Sequence, residues 1–299
     1  MSGPIAITSG ELTATVSPLG AELLSLTDAA GREYMTDADP RWWTGHAPIL
    51  FPIVGALEGE TYRLGTREYA LEKHGFARKS QFVCERHERS GCARFALEDS
   101  AATHAVFPFA FRLELNFEIE DRTLSITATV TNRSDASMPF SFGFHPAFAW
   151  PLPGGMAKDQ HRVVFAKPEP GPVRRIGKGD PVLLPDALTT PVDGDTLVPR
   201  ARLFEADALI WTELDSRSLR FGADGGAWLE LEFPDCPHLG IWQKPGAPFL
   251  ALEPWHGYND PAGFDGDFRD KPGNMTLAPR TSARFLLSIT VTPPPENTP

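Results

Sequence analysis

Two histidines and one glutamate, far apart along the chain, each end an apolar segment beside a Gly or a Pro: His74 before Gly75, His145 before Pro146 and Glu253 before Pro254. Glu253 closes the run Pro245-Gly246-Ala247-Pro248-Phe249-Leu250-Ala251-Leu252, which has no other ionisable side chain, and Trp255 lies two positions further on. A carboxylate beside an indole at the end of an apolar strand is either a poised general base or the acid of a buried ion pair. Two imidazoles and a carboxylate suit proton transfer at two ends of one small substrate. They would equally suit a catalytic zinc ion, but no two of the three share a short His-x-His or His-x-x-x-His spacing, so the expectation is no metal and no cofactor. Taken singly, His145 reads first as a satisfied core residue, and His74 equally as an exposed turn histidine. Pro146 restricts His145 to extended backbone, which fixes the direction of its ring. Gly75 would let a ligand approach the backbone beside His74.

These residues need strands to hold them, and strand patterns dominate the chain. Period-two alternation places Ala251, Glu253 and Trp255 on one face of a strand and Leu250 and Leu252 on the other. Half-buried antiparallel strands are read at Phe111 to Glu120 and Thr123 to Asn132, with others at Gln81 to Glu88, Cys92 to Asp99, Met138 to Phe144, Leu239 to Gln243 and Ala283 to Thr292. The two prolines in Ala47-Pro48-Ile49-Leu50-Phe51-Pro52 rule out a helix interior or a central strand, leaving a buried irregular segment or an edge strand. Long helical patterns are absent. With no composition break or fixed repeat, the expected architecture is all-β, one large antiparallel β-sandwich forming a single domain over residues 1–299, the last few residues a frayed tail.

Composition narrows the partners. A formal net charge of −11 disfavours nucleic acid and anionic membrane as partners. Three cysteines, Cys84, Cys92 and Cys236, lack the spacing of a metal knuckle or redox pair and are expected to be reduced. No apolar run approaches the roughly 20 residues that span a bilayer, and the N-terminal residues lack a signal-peptide pattern. The expectation is a soluble, cytoplasmic protein.

The stretches His74-Gly75-Phe76-Ala77-Arg78, Phe142-Gly143-Phe144-His145-Pro146-Ala147-Phe148 and Leu252-Glu253-Pro254-Trp255 resemble, in order and separation, the three signature stretches of the aldose 1-epimerase (galactose mutarotase) family, with the bacterial LacX-like branch nearest. The resemblance runs from Ile7 to Val291. It implies a large twisted β-sandwich, the galactose mutarotase-like supersandwich with few short helices, and a site in a groove on its concave face. It also implies an isomerase of carbohydrate metabolism that interconverts the α and β anomers of a free aldose. By the same resemblance Glu253 is the general base for the C1 hydroxyl, His145 the general acid for the ring oxygen, and His74 a second histidine near both oxygens. Asp207 and Arg78 would hold sugar hydroxyls, and Trp242 and Trp255 would offer aromatic faces to the sugar; a turn acid, an ion-paired arginine and core packing are the plainer alternatives. A partly buried Glu and an imidazolium sharing a groove are expected to favour each other's charged forms, so that both carry the charge the chemistry needs near neutral pH.

Two departures bear on substrate. Ala56 and Leu57 stand where many relatives carry an Arg, and Thr44-Gly45-His46-Ala47-Pro48 lacks the arginine of the hexose-6-phosphate branch. The second weakens the case for a phosphorylated sugar, though Arg78 and Lys244 keep it open. A catalytically silent carbohydrate-binding or regulatory protein of the same fold remains the alternative from another class. The choice of aldose and the oligomeric state are left open. The whole reading fails if Glu253 is locked in a salt link or points away from His145.

Overall fold

The computed structural model describes residues 3–86, 90–179 and 181–295. Its longest hairpin follows from strict alternation. In Phe111–Glu120 and Thr123–Asn132 every second side chain is buried, and the register sets Leu124 opposite Ile119, Ile126 opposite Phe117 and Val130 opposite Leu113. Each such side chain taken out of water contributes roughly 1.5–3 kcal/mol. These strands sit inside a nine-stranded antiparallel sheet that runs in the order Thr196–Leu197, Arg162–Phe165, Ser218–Gly222, Trp228–Glu232, Ser282–Thr292, Thr123–Asn132, Phe111–Glu120, Cys92–Glu98 and Val83–Arg86.

A second sheet of six strands carries the chemistry-bearing residues. Its path is Leu209–Trp211, His238–Trp242, Phe249–His256, Phe142–Phe144 and Ile49–Leu50, and Ala147–Ala149 also pairs with Phe249–His256. Aromatic contacts bind the two sheets face to face: Phe142 stacks on Phe285 with ring centroids 4.6 Å apart, and Phe51 meets Phe111 at 5.1 Å. Leu250 and Leu252 join this main core, whereas Trp255 belongs to a separate cluster with Leu50, Val54 and Ile210 on the other face. The two faces read from the period-two pattern are therefore the two faces observed. The result is a large antiparallel β-sandwich.

Two details differ from the sequence reading. The stretch Met138 to Phe144, read as one strand, breaks at Ser141. Met138–Phe140 pairs with Met275–Leu277, and Phe142–Phe144 pairs with Phe249–His256. Ser141 makes the break by donating its N–H to the Pro52 carbonyl at 2.8 Å and its hydroxyl to Asn274 Oδ1 at 2.5 Å. The strand read from Gln81 to Glu88 is observed as Val83–Arg86, with 87–89 outside the described residues. A short helix, Ala101–Val106, follows Ser100, whose hydroxyl accepts from the Thr103 N–H in a capping box. The proline-flanked Ile49–Leu50 is a two-residue edge strand, both residues buried.

Candidate active site

Register alone brings Glu253 and His145 together. Gly143 lies opposite Trp255, and Ala147 lies opposite Ala251, so the interruption between those two short strands places residue 145 opposite residue 253. The backbone at the interruption is tied by the Leu252 N–H to the Pro146 carbonyl at 3.0 Å. Parity puts both side chains on the face away from the main core, and His145 Nε2 lies 3.0 Å from Glu253 Oε2. On the far side of Glu253 the register partner is Gly240. A methyl group at Gly240 would stand 2.4 Å from the Trp255 ring and one at Gly143 2.5 Å from it, so two glycines give the indole its place beside the glutamate.

His74 arrives from a loop held in a rare conformation. Its φ is 67°, in the left-handed region where a non-glycine residue costs of order 1–3 kcal/mol and persists only if its surroundings enforce it. A reciprocal clamp does so: the His74 N–H donates to the Gly55 carbonyl at 2.8 Å, and the Gly55 N–H donates to His74 Nδ1 at 3.1 Å. Nδ1 is therefore the acceptor, and the neutral ring carries its proton on Nε2. The His74 and His145 rings meet edge to face, centroids 5.8 Å apart. The space beside Gly75 is taken by the chain itself. The Phe51 carbonyl would lie 2.3 Å from a Gly75 Cβ, so the glycine admits backbone where the sequence suggested room for a ligand.

Burial decides the charge state of the pair. Glu253 is 2 % exposed and His145 8 % exposed. Loss of solvent pushes the Glu253 carboxyl well above its ordinary range and the His145 imidazole down to about 3. His74 is likewise held well below its ordinary value, first by burial and then by neighbouring positive charge. The expectation that Glu253 and His145 mutually favour their charged forms is thus corrected: desolvation outweighs their attraction, and the pair rests with one shared proton and no net charge.

Around this pair is a cavity of about 270 Å³ lined by Trp43, Lys73, Arg78, Asp207, Trp242, Trp255 and Asn259 together with the three proton-transfer candidates. Every residue singled out from sequence is present. Asp207 stands at the rim with φ 66°, its Oδ1 accepting from the Ala208 N–H at 2.7 Å and its carbonyl from Arg175 at 2.6 Å. Arg78 donates one Nη to the Lys73 carbonyl at 3.1 Å and makes no ion pair with a described acid within 4.0 Å. Trp242 presents its edge to His145 at 6.1 Å, while Trp255, 3 % exposed, is mostly packed. Lys244, by contrast, lies outside, on the turn after His238–Trp242, reaching the Arg41 carbonyl. Glu253 is hydrogen-bonded at 3.0 Å, and its partner is the imidazole with which it would share the chemistry.

Two contributors were missed in the sequence. Trp43 stacks on His145 with centroids 4.9 Å apart and 27° between planes, and Lys73 precedes His74 into the cavity. The tandem Trp42-Trp43 ahead of a proline-rich apolar segment was the available signal for the first; nothing but adjacency to His74 marked the second. Six buried side-chain polar atoms among the described residues have no hydrogen-bond partner, and three of them, Arg78 Nε, His145 Nδ1 and Trp255 Nε1, belong to residues of this one cavity. Unpaired buried polar atoms are rare in folded proteins, and their concentration beside one cavity sets it apart from the rest of the described residues. Among the described residues no three His, Cys, Asp or Glu are placed to hold a metal ion. No helix there is long and apolar enough to cross a membrane.

In sequence and fold the chain is similar to known proteins. The sequence profile of the aldose 1-epimerase family matches residues 4–175. The plasmid-encoded protein LacX of Lactococcus lactis subsp. lactis is 30% identical over 289 residues, 94% of this chain and 96% of its own. A galactose mutarotase-like protein from Lactobacillus casei superposes with a TM-score of 0.89 at 32% identity, covering 97% of this chain and 100% of that one. A galactose mutarotase related enzyme from Lactobacillus acidophilus gives 0.89 at 30% identity and 98% of each chain. By sequence and by fold the chain belongs to the aldose 1-epimerase family.

Proposed function

We propose that this protein is a mutarotase that interconverts the α and β anomers of an aldose within the cavity around Glu253. The observation that carries the reading is the 3.0 Å contact between His145 Nε2 and Glu253 Oε2 inside a polar, aromatic-walled space of about 270 Å³. That volume is just under the roughly 300–1,000 Å³ of sites for drug-sized ligands, and suits a single monosaccharide.

The reaction moves protons without a net change. Glu253, as carboxylate, takes the proton from the C1 hydroxyl while His145, as imidazolium, delivers one to the ring oxygen. The C1–ring oxygen bond breaks, C1 becomes an aldehyde, and Glu253 and His145 are left neutral. Rotation about C1–C2 exposes the other carbonyl face. On reclosure Glu253 returns its proton to the carbonyl oxygen and His145 recovers one from the C5 hydroxyl. Throughout, the pair alternates between a charged and an uncharged form while holding one proton in the closed-ring and open-chain states alike, and the sugar gains one proton for each it gives up. Burial favours the uncharged form, so the open-chain stage is not penalised by a newly made charge. His74 Nε2–H is a donor available beside the ring oxygen, and Arg78 and Asp207 offer opposite hydrogen-bonding character to the remaining polar groups of the sugar.

Saturation-transfer NMR or polarimetry on freshly dissolved α-glucose and α-galactose tests this. Wild-type protein is expected to speed equilibration well beyond buffer, and Glu253→Gln to lose that acceleration. A rate equal to buffer with every sugar tried would leave the silent binding protein as the better reading.

A further inference from the structure

The cavity is positively charged in a chain whose formal net charge is −11. Lys73 and Arg78 contribute two positive charges and Asp207 one negative. His74 is neutral, with Nδ1 accepting from Gly55, and the His145–Glu253 pair sums to zero wherever its one proton resides. One positive charge is left over. Neither cation is satisfied by protein: among the described residues the Lys73 ammonium has no hydrogen-bond or ion-pair partner, and the buried Arg78 Nε has none. A free ammonium at the surface is ordinary; a free ammonium and an unpartnered guanidinium N–H lining the same small cavity are not.

Resting on the mutarotase reading, we propose that the aldose this cavity prefers is an anion, a hexuronate whose C6 carboxylate is held by Lys73 and Arg78. Position follows from connectivity. C6 hangs from C5, which is bonded to the ring oxygen, and the ring oxygen faces His145. His74 lies edge-on to His145 at 5.8 Å and Lys73 is its chain neighbour, so a group two bonds from the ring oxygen on that side meets the lysine. A carboxylate matches both the single residual charge and the free donors. A phosphate ester carries about −1.5 to −2 charge, which exceeds the single positive charge left over in this cavity.

The test compares glucuronate and galacturonate with glucose, galactose and glucose 6-phosphate by anomeric-proton exchange NMR at neutral pH, using wild type, Lys73→Gln and Lys73→Met. The Lys73 side chain makes no hydrogen bond or ion pair with a described residue, and its carbonyl, which accepts from Arg78, is kept, so these variants are expected to fold normally. The inference expects kcat/KM for the uronate to exceed that for the matching neutral hexose by about tenfold or more, the size of one charge-assisted hydrogen bond. Both lysine variants should shrink that ratio to within about threefold. Preference for the neutral sugar or the phosphate, or a ratio unmoved by the lysine variants, overturns it. Binding is measured separately by ligand-observed NMR on Glu253→Gln. If wild type turns over no sugar, the mutarotase reading falls, while tighter uronate than hexose binding that Lys73→Gln abolishes still supports the charge assignment; equal binding overturns it.

Discussion

The indole of Trp43 covers the imidazole of His145, centroids 4.9 Å apart and planes inclined by 27°. Gly45 makes this possible, since a side chain there would stand 2.5 Å from the Trp43 ring. The stacking fixes His145 against rotation about its side-chain bonds, and the aromatic face stabilises the ring when it is charged.

From this follows the first expectation. Trp43→Leu should lower kcat/KM for mutarotation by roughly tenfold to a hundredfold, because a catalytic group displaced by about 1 Å loses that much. Trp43→Phe, which keeps a ring over the imidazole, should retain most of the activity. Equal rates for wild type and Trp43→Leu would remove the stacking from the account.

A second concerns the loop that presents His74. Gly75 has φ 68° and its Cβ position is 2.3 Å from the Phe51 carbonyl, which also accepts the Phe76 and Ala77 N–H groups. Gly75→Ala therefore adds a left-handed alanine, costing about 1–2 kcal/mol, and a backbone clash. The expected total is about 3 kcal/mol, read as a lowered urea midpoint with an unchanged slope. A midpoint within error of wild type would contradict the clamp.

Activity should also show an unusual pH dependence. The working form of the His145–Glu253 pair holds one proton. A second is added only as the pH falls towards the depressed His145 value of about 3, and the one proton leaves only above the raised Glu253 value. The sign is the same at both edges: burial widens the singly protonated window. kcat/KM should therefore be flat from about pH 5 to 7 in exchange NMR, where an ordinary imidazole near 6.5 would give a sharp step.

Much of this was legible in the chain. Phe111–Glu120 and Thr123–Asn132 were bounded correctly because alternation of buried and solvent-facing residues runs unbroken through them. The face shared by Ala251, Glu253 and Trp255 followed from the same periodicity, and the three motif residues converge. What alternation cannot reveal is a contact made by irregular backbone. Trp43 comes from a loop without a period. Lys73 is placed by a left-handed turn that no side-chain pattern encodes, and the Ser141 break depends on a carbonyl from Pro52, far away in sequence. Charge state was misjudged because attraction between two groups is visible in residue types, whereas their desolvation depends on how deeply the fold encloses them.

The central claim is that Glu253 and His145 act as one proton-sharing unit, and a double-mutant cycle measures it directly. In anomeric exchange NMR, Glu253→Gln and His145→Asn should each lower the rate by about 10²–10⁴-fold, and the double variant should be scarcely slower than either single one. Independent, multiplying losses, or a single variant that keeps wild-type exchange, would contradict it.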